Sequence, residues 1–220
     1  MMDEYESLYR SAKEAATSGR HLDAAQLYRK VAVEVPPDKQ AVFYLLASEA
    51  HDDAGETEEA MADCKSAIAS DPNSAQAWRA LGRQLMEAGQ ESEAKQALCA
   101  SLDLFPSAST HIYLSQICIK TGNLIDAEDH CRKALSLSPE FDEAYYNLGL
   151  VLKFQGRTNE ALDAFHSSVR ISPDYAIAFR EIGGIQLEQG YHIDAKQHLK
   201  KCLSILPHDE KALEFLDKLP

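Results

Sequence analysis

Six glycines recur along the 220-residue chain at intervals of 36, 34, 33, 34 and 34 residues. Six prolines follow the same series of intervals, and an alanine stands five residues after each glycine. The positions are Gly19, Gly55, Gly89, Gly122, Gly156 and Gly190; Pro36, Pro72, Pro106, Pro139, Pro173 and Pro207; and Ala24, Ala60, Ala94, Ala127, Ala161 and Ala195. A period of this length is typical of a solenoid, in which each repeat packs only against its neighbours. The chain is therefore predicted to be an array of repeats.

Each repeat divides at its glycine into two helical patterns. In residues 142–175 the first pattern places Leu148 on an apolar stripe and ends at Gly156, a residue type that adopts positive φ without a Cβ clash. The second pattern turns Ala161 and Phe165 inward and ends before Pro173, which lacks an amide donor. A small alanine lets two antiparallel helices approach closely. We therefore predict an all-α chain of tandem helix-turn-helix repeats.

Two stretches carry a resemblance to a known family. They are Trp78, Leu81, Gly82, Leu85, Gly89, Ala94, Leu98 and Pro106, and Tyr145, Leu148, Gly149, Leu152, Gly156, Ala161, Phe165 and Pro173. Their order resembles the tetratricopeptide repeat. The resemblance implies a right-handed superhelical α-solenoid, a single array over residues 5–209. The six repeats are placed at 5–38, 41–74, 75–107, 108–141, 142–175 and 176–209, and residues 210–220 are predicted to form a C-terminal capping helix.

Composition narrows the classes of partner. The formal net charge is −13, of which −7 falls in residues 41–74. Nucleic acid and anionic lipid are bound by clustered Lys and Arg, which neutralise phosphates, so we expect neither of them as a partner. No apolar stretch of 18 residues occurs, so we expect no membrane insertion. The N-terminal residues have no basic region followed by an apolar run, and the five cysteines include no CxxC pair. We therefore expect reduced cysteines and a cytoplasmic location.

Catalytic and metal-binding patterns are missing from the sequence. No GxSxG, HExxH, phosphate-binding loop or dinucleotide glycine motif occurs. His130 and Cys131 are adjacent on one predicted helix and therefore point in different directions, which does not suit convergent metal ligands. We predict that the chain is not an enzyme and requires neither a metal nor another cofactor.

The resemblance implies that the first helices of the repeats line a concave groove that holds a segment of another protein. The predicted function is thus a non-catalytic adaptor whose partner is a protein or its peptide segment, basic or amphipathic in character. Two alternatives stay open. One is a structural scaffold that assembles with further copies of itself, and the other is an acidic chaperone or inhibitor that shields a basic protein.

Charged candidates for the groove lie in the second and third repeats. Glu49 and Asp52 fall late in the first helix of the acidic repeat, where a basic peptide could dock, although acids here could also belong to a solvated turn. Arg79 and Arg83, one turn apart, could receive a carboxylate. The two arginines could equally neutralise the acids of the preceding repeat.

The remaining candidates lie in the fourth to sixth repeats. Asn147 occupies the slot where groove asparagines hold a peptide backbone in some relatives of the resembled family. Apolar and aromatic groove slots with cations beside them suggest an amphipathic or extended peptide, although part of this stripe could pack between helices. These slots are Ile112, Tyr113, Tyr146 and Leu150, and the cations are Lys153 and Arg180.

Overall fold

The structure, a computed structural model, describes residues 4–220 and contains thirteen helices in that part of the chain. The helices are α1 (Glu4–Thr17), α2 (His21–Glu34), α3 (Pro37–Asp53), α4 (Thr57–Ser70), α5 (Ala75–Glu87), α6 (Glu91–Leu104), α7 (Ala108–Lys120), α8 (Leu124–Leu137), α9 (Asp142–Phe154), α10 (Thr158–Ile171), α11 (Ala176–Glu188), α12 (His192–Ile205) and α13 (Glu210–Asp217). No strand occurs among these residues. The chain is an all-α solenoid of tandem helix-turn-helix repeats, as its period predicts.

Two compact units divide the helices between them. Unit 1 ends at Pro106 and holds α1 to α6, and unit 2 comprises Ser107–Pro220 and holds α7 to α13. Within each unit every helix packs against the next one in the chain. First helices of successive repeats also contact each other, as α3 does with α5 in unit 1 and α7 with α9 in unit 2. The first helices therefore form one continuous face of each unit.

The turn between the two helices of a repeat depends on glycine. All six turn glycines have φ between 72° and 81°. At Gly156, for example, the backbone N–H of Arg157 donates to the carbonyl of Leu152 at 2.9 Å, and a Cβ added to the glycine would meet no atom within 4 Å. The glycine is thus needed for its left-handed backbone and not for lack of space.

Alanine occupies the point of closest approach between the paired helices. The six periodic alanines, from Ala24 to Ala195, are fully buried. Because the alanine side chain is small, the two helix backbones can lie close together at this point, which is the role that the sequence predicts for it. These alanines fix the spacing within each repeat.

A second slot on the first helix is matched in size to the residue that it faces. Where the slot is glycine the opposite residue is large, and where it is serine the opposite residue is cysteine. The contacting pairs are Gly82 with Leu98, Gly149 with Phe165, Gly183 with Leu199, Ser48 with Cys64, and Ser115 with Cys131. Each serine hydroxyl lies 3.0 Å from the cysteine sulfur. Close packing thus constrains the two positions jointly.

Helix α13 covers the last repeat of unit 2. Its Phe215 lies against the backbone of Gly184 on α11, so closely that a Cβ on that glycine would come within 2.8 Å of the ring. Asp209 caps α13 by accepting a hydrogen bond of 2.8 Å from the backbone N–H of Ala212. One face of α13 therefore completes the apolar core of this repeat.

Candidate functional site

We call the surface formed by the first helices of a unit its groove face: α1, α3 and α5 in unit 1, and α7, α9 and α11 in unit 2. The sequence-predicted site residues all lie on these helices. The two groove faces differ in charge and in exposed apolar area, and each is described separately.

An ion-pair cluster dominates the groove face of unit 1. Nη1 of Arg83 on α5 lies 2.8 Å from Oδ2 of Asp52 on α3 and 2.9 Å from Oε1 of Glu87, one turn along α5. Burial raises the pKa of the Asp52 carboxyl, but hydrogen bonds from Gln84 and Arg83 outweigh it, and the net pKa is lowered. Burial is also the main reason that the pKa of Glu87 is raised, and Asp52 adds to the rise. Arg83 is thus held by two carboxylates of this chain.

Beside this cluster lies a buried amide. The Gln84 side chain is 0% exposed, and its amide faces Asp52 as a weak hydrogen-bond donor that helps to lower the pKa of that carboxyl. Sequence reasoning missed Gln84, and a polar residue at an inward-facing helical slot was the available signal.

The rest of the groove face of unit 1 mixes acid with exposed apolar area. Glu49 is exposed, and the Asp53 side chain is 63% exposed, with His21 3.6 Å away. Val42 is 57% exposed at the start of α3. Arg79 is half-buried on α5, on the same side of the helix as Arg83. A ligand on this face would therefore meet carboxylates and one apolar patch.

A second ion-pair cluster of unit 1 is centred on a buried carboxylate. The buried Asp63 carboxylate accepts from Nε of Arg29 at 2.6 Å and contacts Nδ1 of His51 at 2.7 Å. These contacts join α2, α3 and α4. Asp63 therefore adds to the acid count of its repeat without adding a charge to the groove face.

A chain of ion pairs crosses the groove face of unit 2. Nζ of Lys153 on α9 lies 2.8 Å from Oε2 of Glu181 on α11, whose Oε1 lies 3.1 Å from Nη2 of Arg180. Nη1 of Arg180 then reaches Oδ2 of Asp209 at 2.8 Å, next to α13. The two predicted cations are therefore already paired within the unit, and they tie α9, α11 and α13 together.

Two of the predicted residues in unit 2 are buried. Ile112 is fully buried in the core of unit 2, so its prediction as a groove residue is wrong; the packing of α9 against α7 encloses it. Asn147 is 3% exposed, and its Nδ2 donates to the carbonyl of Glu143 at 2.8 Å. This bond uses one of the two Nδ2 hydrogens, and burial limits the access of an incoming peptide backbone to the rest of the amide.

Partly exposed residues complete the groove face of unit 2. Tyr146 packs its ring against Phe165 and Tyr175, with centroids 5.7 and 5.4 Å apart, and burial raises the pKa of its phenol to about 12. Tyr113 and Leu150 are half-buried. Phe154 at the end of α9 is 60% exposed. This face offers aromatic and aliphatic area around the paired charges.

Among the described residues, no group of three or more His, Cys, Asp and Glu side chains is placed to hold a metal ion. Within the same residues, no helix has both the length and the apolar character that crossing a bilayer requires.

The repeats match models of a known protein family. Four models of the tetratricopeptide repeat match residues 9–75, 52–106, 108–141 and 130–163. The chain belongs to the tetratricopeptide repeat family. The matched segments fall in both units, as does the period in the sequence.

Relatives share the repeats within much longer chains. Human protein O-mannosyl-transferase TMTC1 is 29% identical over 171 residues, which cover 75% of this tetratricopeptide repeat chain and 19% of the relative. Anaphase-promoting complex subunit 7 of Dictyostelium discoideum is 32% identical over 87 residues, covering 40% and 15% of the two chains. The chain spans 15 to 31% of the length of the first curated relatives that it matches. The activities named for these relatives belong to the whole proteins.

Solved structures share the fold. The pilus biogenesis factor PilW aligns with a TM-score of 0.82 at 15% identity, over 98% of this chain and 100% of that one. YrrB, described as a TPR protein with an unusual peptide-binding site, aligns with a TM-score of 0.61 at 23% identity, over 87% of this chain and 98% of that one. At these identities the likeness concerns the fold alone.

Proposed function

We propose that this tetratricopeptide repeat chain is a non-catalytic adaptor that holds an extended segment of another protein on its groove faces. The observation that carries the proposal is that apolar side chains lie exposed on first helices that also carry ion pairs. Val42 in unit 1 and Phe154 in unit 2 are the main examples, at 57% and 60% exposed. Exposed apolar area with a polar rim is typical of protein-binding surfaces.

The description of YrrB as peptide-binding supports this proposal by analogy of fold. Burial raises the pKa of Cys64 and Cys131 to about 11, which keeps both thiols protonated and unreactive. A cytoplasmic location is part of the proposal. No reaction is assigned to the chain.

The test is a selection of random dodecapeptides displayed on phage against the immobilised chain, followed by fluorescence anisotropy with the selected peptides. Val42→Ser and Phe154→Ser should each weaken the peptides that bind their unit about tenfold, because each removes a desolvated apolar contact. Matched controls are Val33→Ser on α2 and Ile125→Ser on α8, exposed apolar residues on second helices.

The controls should change affinity less than about twofold. Equal losses in both sets would show that binding does not prefer the groove faces. Failure of the selection to return any binding peptide would contradict the adaptor proposal itself.

A further inference from the structure

We propose that the groove face of unit 1 holds its partner segment between α1 and α3, with an apolar side chain of the segment against Val42 and Leu46 and an aspartate or glutamate against Arg10 and Lys13. The inference rests on the proposed adaptor function and gives the partner its chemistry: an amphipathic segment with one carboxylate at a fixed distance from an apolar anchor. It moves the carboxylate site from the arginines of α5, one option from the sequence, to α1.

The first step is the contact that joins α1 to α3. The Tyr9 ring on α1 meets the Phe43 ring on α3 edge to face, with centroids 5.5 Å apart, and its centroid lies 6.3 Å from that of Tyr28 on α2. Residues of α1, α2 and α3 also share one apolar core. The two first helices therefore lie side by side, and one ligand can touch residues of both.

The second step is the apolar surface that these helices expose. Val42 is 57% exposed, Leu46 is half-buried, and Tyr9 is 39% exposed. Val42 and Leu46 are four residues apart and so lie on the same side of α3. Apolar area bordered by polar side chains is typical of a surface that receives a peptide side chain.

The third step places two cations beside this surface. Arg10 and Lys13 precede Leu46 and Glu49 of α3 by 36 residues, the interval between the first two turn glycines, and they therefore occupy the same helical slots on α1. Being three residues apart, Arg10 and Lys13 are neighbours on the groove face. Both side chains are exposed.

The fourth step is that these cations are available. In the described part of the chain, neither the Arg10 nor the Lys13 side chain takes part in an ion pair or a hydrogen bond. Arg83, Lys153 and Arg180, by contrast, are each bound to a carboxylate of this chain. A carboxylate of the partner can therefore pair with Arg10 and Lys13 without breaking an existing bond, and a guanidinium can bind it through two N–H groups.

The fifth step is the distance between the two contacts. The axes of packed neighbouring helices are about 8 to 10 Å apart. An extended peptide advances about 3.3 Å per residue. A carboxylate over α1 and an apolar side chain over α3 are therefore about three residues apart in an extended segment.

The sixth step fixes which side of the segment carries the acid. Glu49 is exposed on α3 at the slot that Lys13 occupies on α1. A carboxylate of the segment is attracted by α1 and repelled by α3, and such a repulsive element adds specificity. The segment should therefore have its acid on the α1 side of the apolar anchor.

The experiment measures binding of fluorescein-labelled dodecapeptides to the full chain by anisotropy. Each peptide has one leucine among alanine, serine and glycine, with glutamate or glutamine three residues before the leucine in one set and three residues after it in a second set, because the backbone can cross the helices in either direction. In at least one set we expect the glutamate peptide to bind about fivefold more tightly than the glutamine peptide, the upper range for an exposed ion pair. Salt at about 0.15 M screens charges that lie farther away than about 8 Å.

Variants then locate the site. Arg10→Gln with Lys13→Gln should abolish the preference for glutamate, and Arg10→Glu with Lys13→Glu should reverse it. The matched control is Lys30→Gln with Lys65→Gln, exposed lysines on α2 and α4, which changes the net charge as much as the first variant and should keep the preference.

A further variant tests the apolar contact. Val42→Ser should weaken the glutamate and glutamine peptides by the same factor and leave the ratio of their affinities unchanged, because it removes an apolar contact that both peptides make. Circular dichroism checks that every variant keeps its helices.

Each of four results would overturn the inference. They are equal affinity for the glutamate and glutamine peptides in both sets, a preference that survives the loss of both α1 cations, a preference that the control variant also abolishes, and absence of binding by every peptide. The adaptor proposal survives all four, because the phage selection tests it with peptides of any sequence and charge.

Discussion

At the scale of single residues, one histidine occupies a position that other repeats give to larger aromatic groups, and it contacts a second histidine. His111 on α7 stands where the third and fifth repeats have Trp78 and Tyr145, and its Nδ1 lies 3.0 Å from Nδ1 of His130 on α8. Burial lowers the pKa of His111 below its usual value of 6.5, and the charge of His130 lowers it further. The folded protein therefore favours the neutral form of His111.

The stability of unit 2 should depend on pH for this reason. A lowered folded pKa means that the contribution of neutral His111 is fully present above pH 6.5 and is lost as the pH falls below 6.5 toward the folded pKa. We predict that His111→Phe loses less unfolding free energy than the wild type between about pH 7.5 and pH 5.5. Urea unfolding of both proteins at each pH measures the difference, and an unchanged or larger loss in the variant would contradict the assignment.

At the scale of helices, the pairing within a repeat depends on the slot that faces the second helix. A Cβ added to Gly149 on α9 would lie 2.6 Å from Cε1 of Phe165 on α10, a buried aromatic ring with little room to move. We predict that Gly149→Ala lowers the free energy of unfolding by about 1 to 3 kcal/mol through overpacking.

The control for this prediction is Gly156→Ala in the turn of the same repeat. Its Cβ would meet no atom, so the cost should come only from φ of +77° and amount to about 1 to 2 kcal/mol. In a Phe165→Cys background, which places at this position the residue that faces Ser48 and Ser115 in two other repeats, Gly149→Ala should cost less than in the wild type, because the smaller side chain leaves space for the new methyl group. Urea unfolding that shows the same cost in both backgrounds would place the strain elsewhere.

Much of this level of structure could be predicted from the sequence. Each periodic residue has a single structural role: Gly156 allows a left-handed turn, and Ala161 allows a close contact between helices. Local spacing in the sequence is enough to predict such a role. The matching of Ser48 to Cys64 is harder to predict, because it relates residues on two helices through side-chain volume. This matching can be recognised only when it is known which residues of the two helices face each other.

The candidate site was less predictable because it depends on which side chains meet between repeats. The sequence left two options for Arg83, and the 2.8 Å contact with Asp52, 31 residues earlier, follows from the offset between α3 and α5. Ile112 was placed in the groove because the family resemblance puts its slot there, yet it is fully buried in a core that residues of successive repeats form. Such contacts arise from the packing of successive repeats, which a single helical pattern does not encode.

At the scale of the whole molecule, we infer that the first helices of each unit, and not the second helices, receive the partner. The second helices also expose apolar side chains, such as Val33 on α2 and Ile125 on α8, so exposure alone does not decide between the two sets. What distinguishes the groove faces is that first helices of successive repeats contact each other and are joined by ion pairs, Arg83 with Asp52 in unit 1 and Lys153 with Glu181 in unit 2.

The most direct test is a titration of the ¹⁵N-labelled 24.4 kDa chain with a phage-selected peptide, followed by amide chemical shifts. We predict that the largest shifts fall on α1, α3 and α5, on α9 and α11, or on both sets. Shifts concentrated on α4, α6, α8, α10 or α12, with the first helices unchanged, would contradict it.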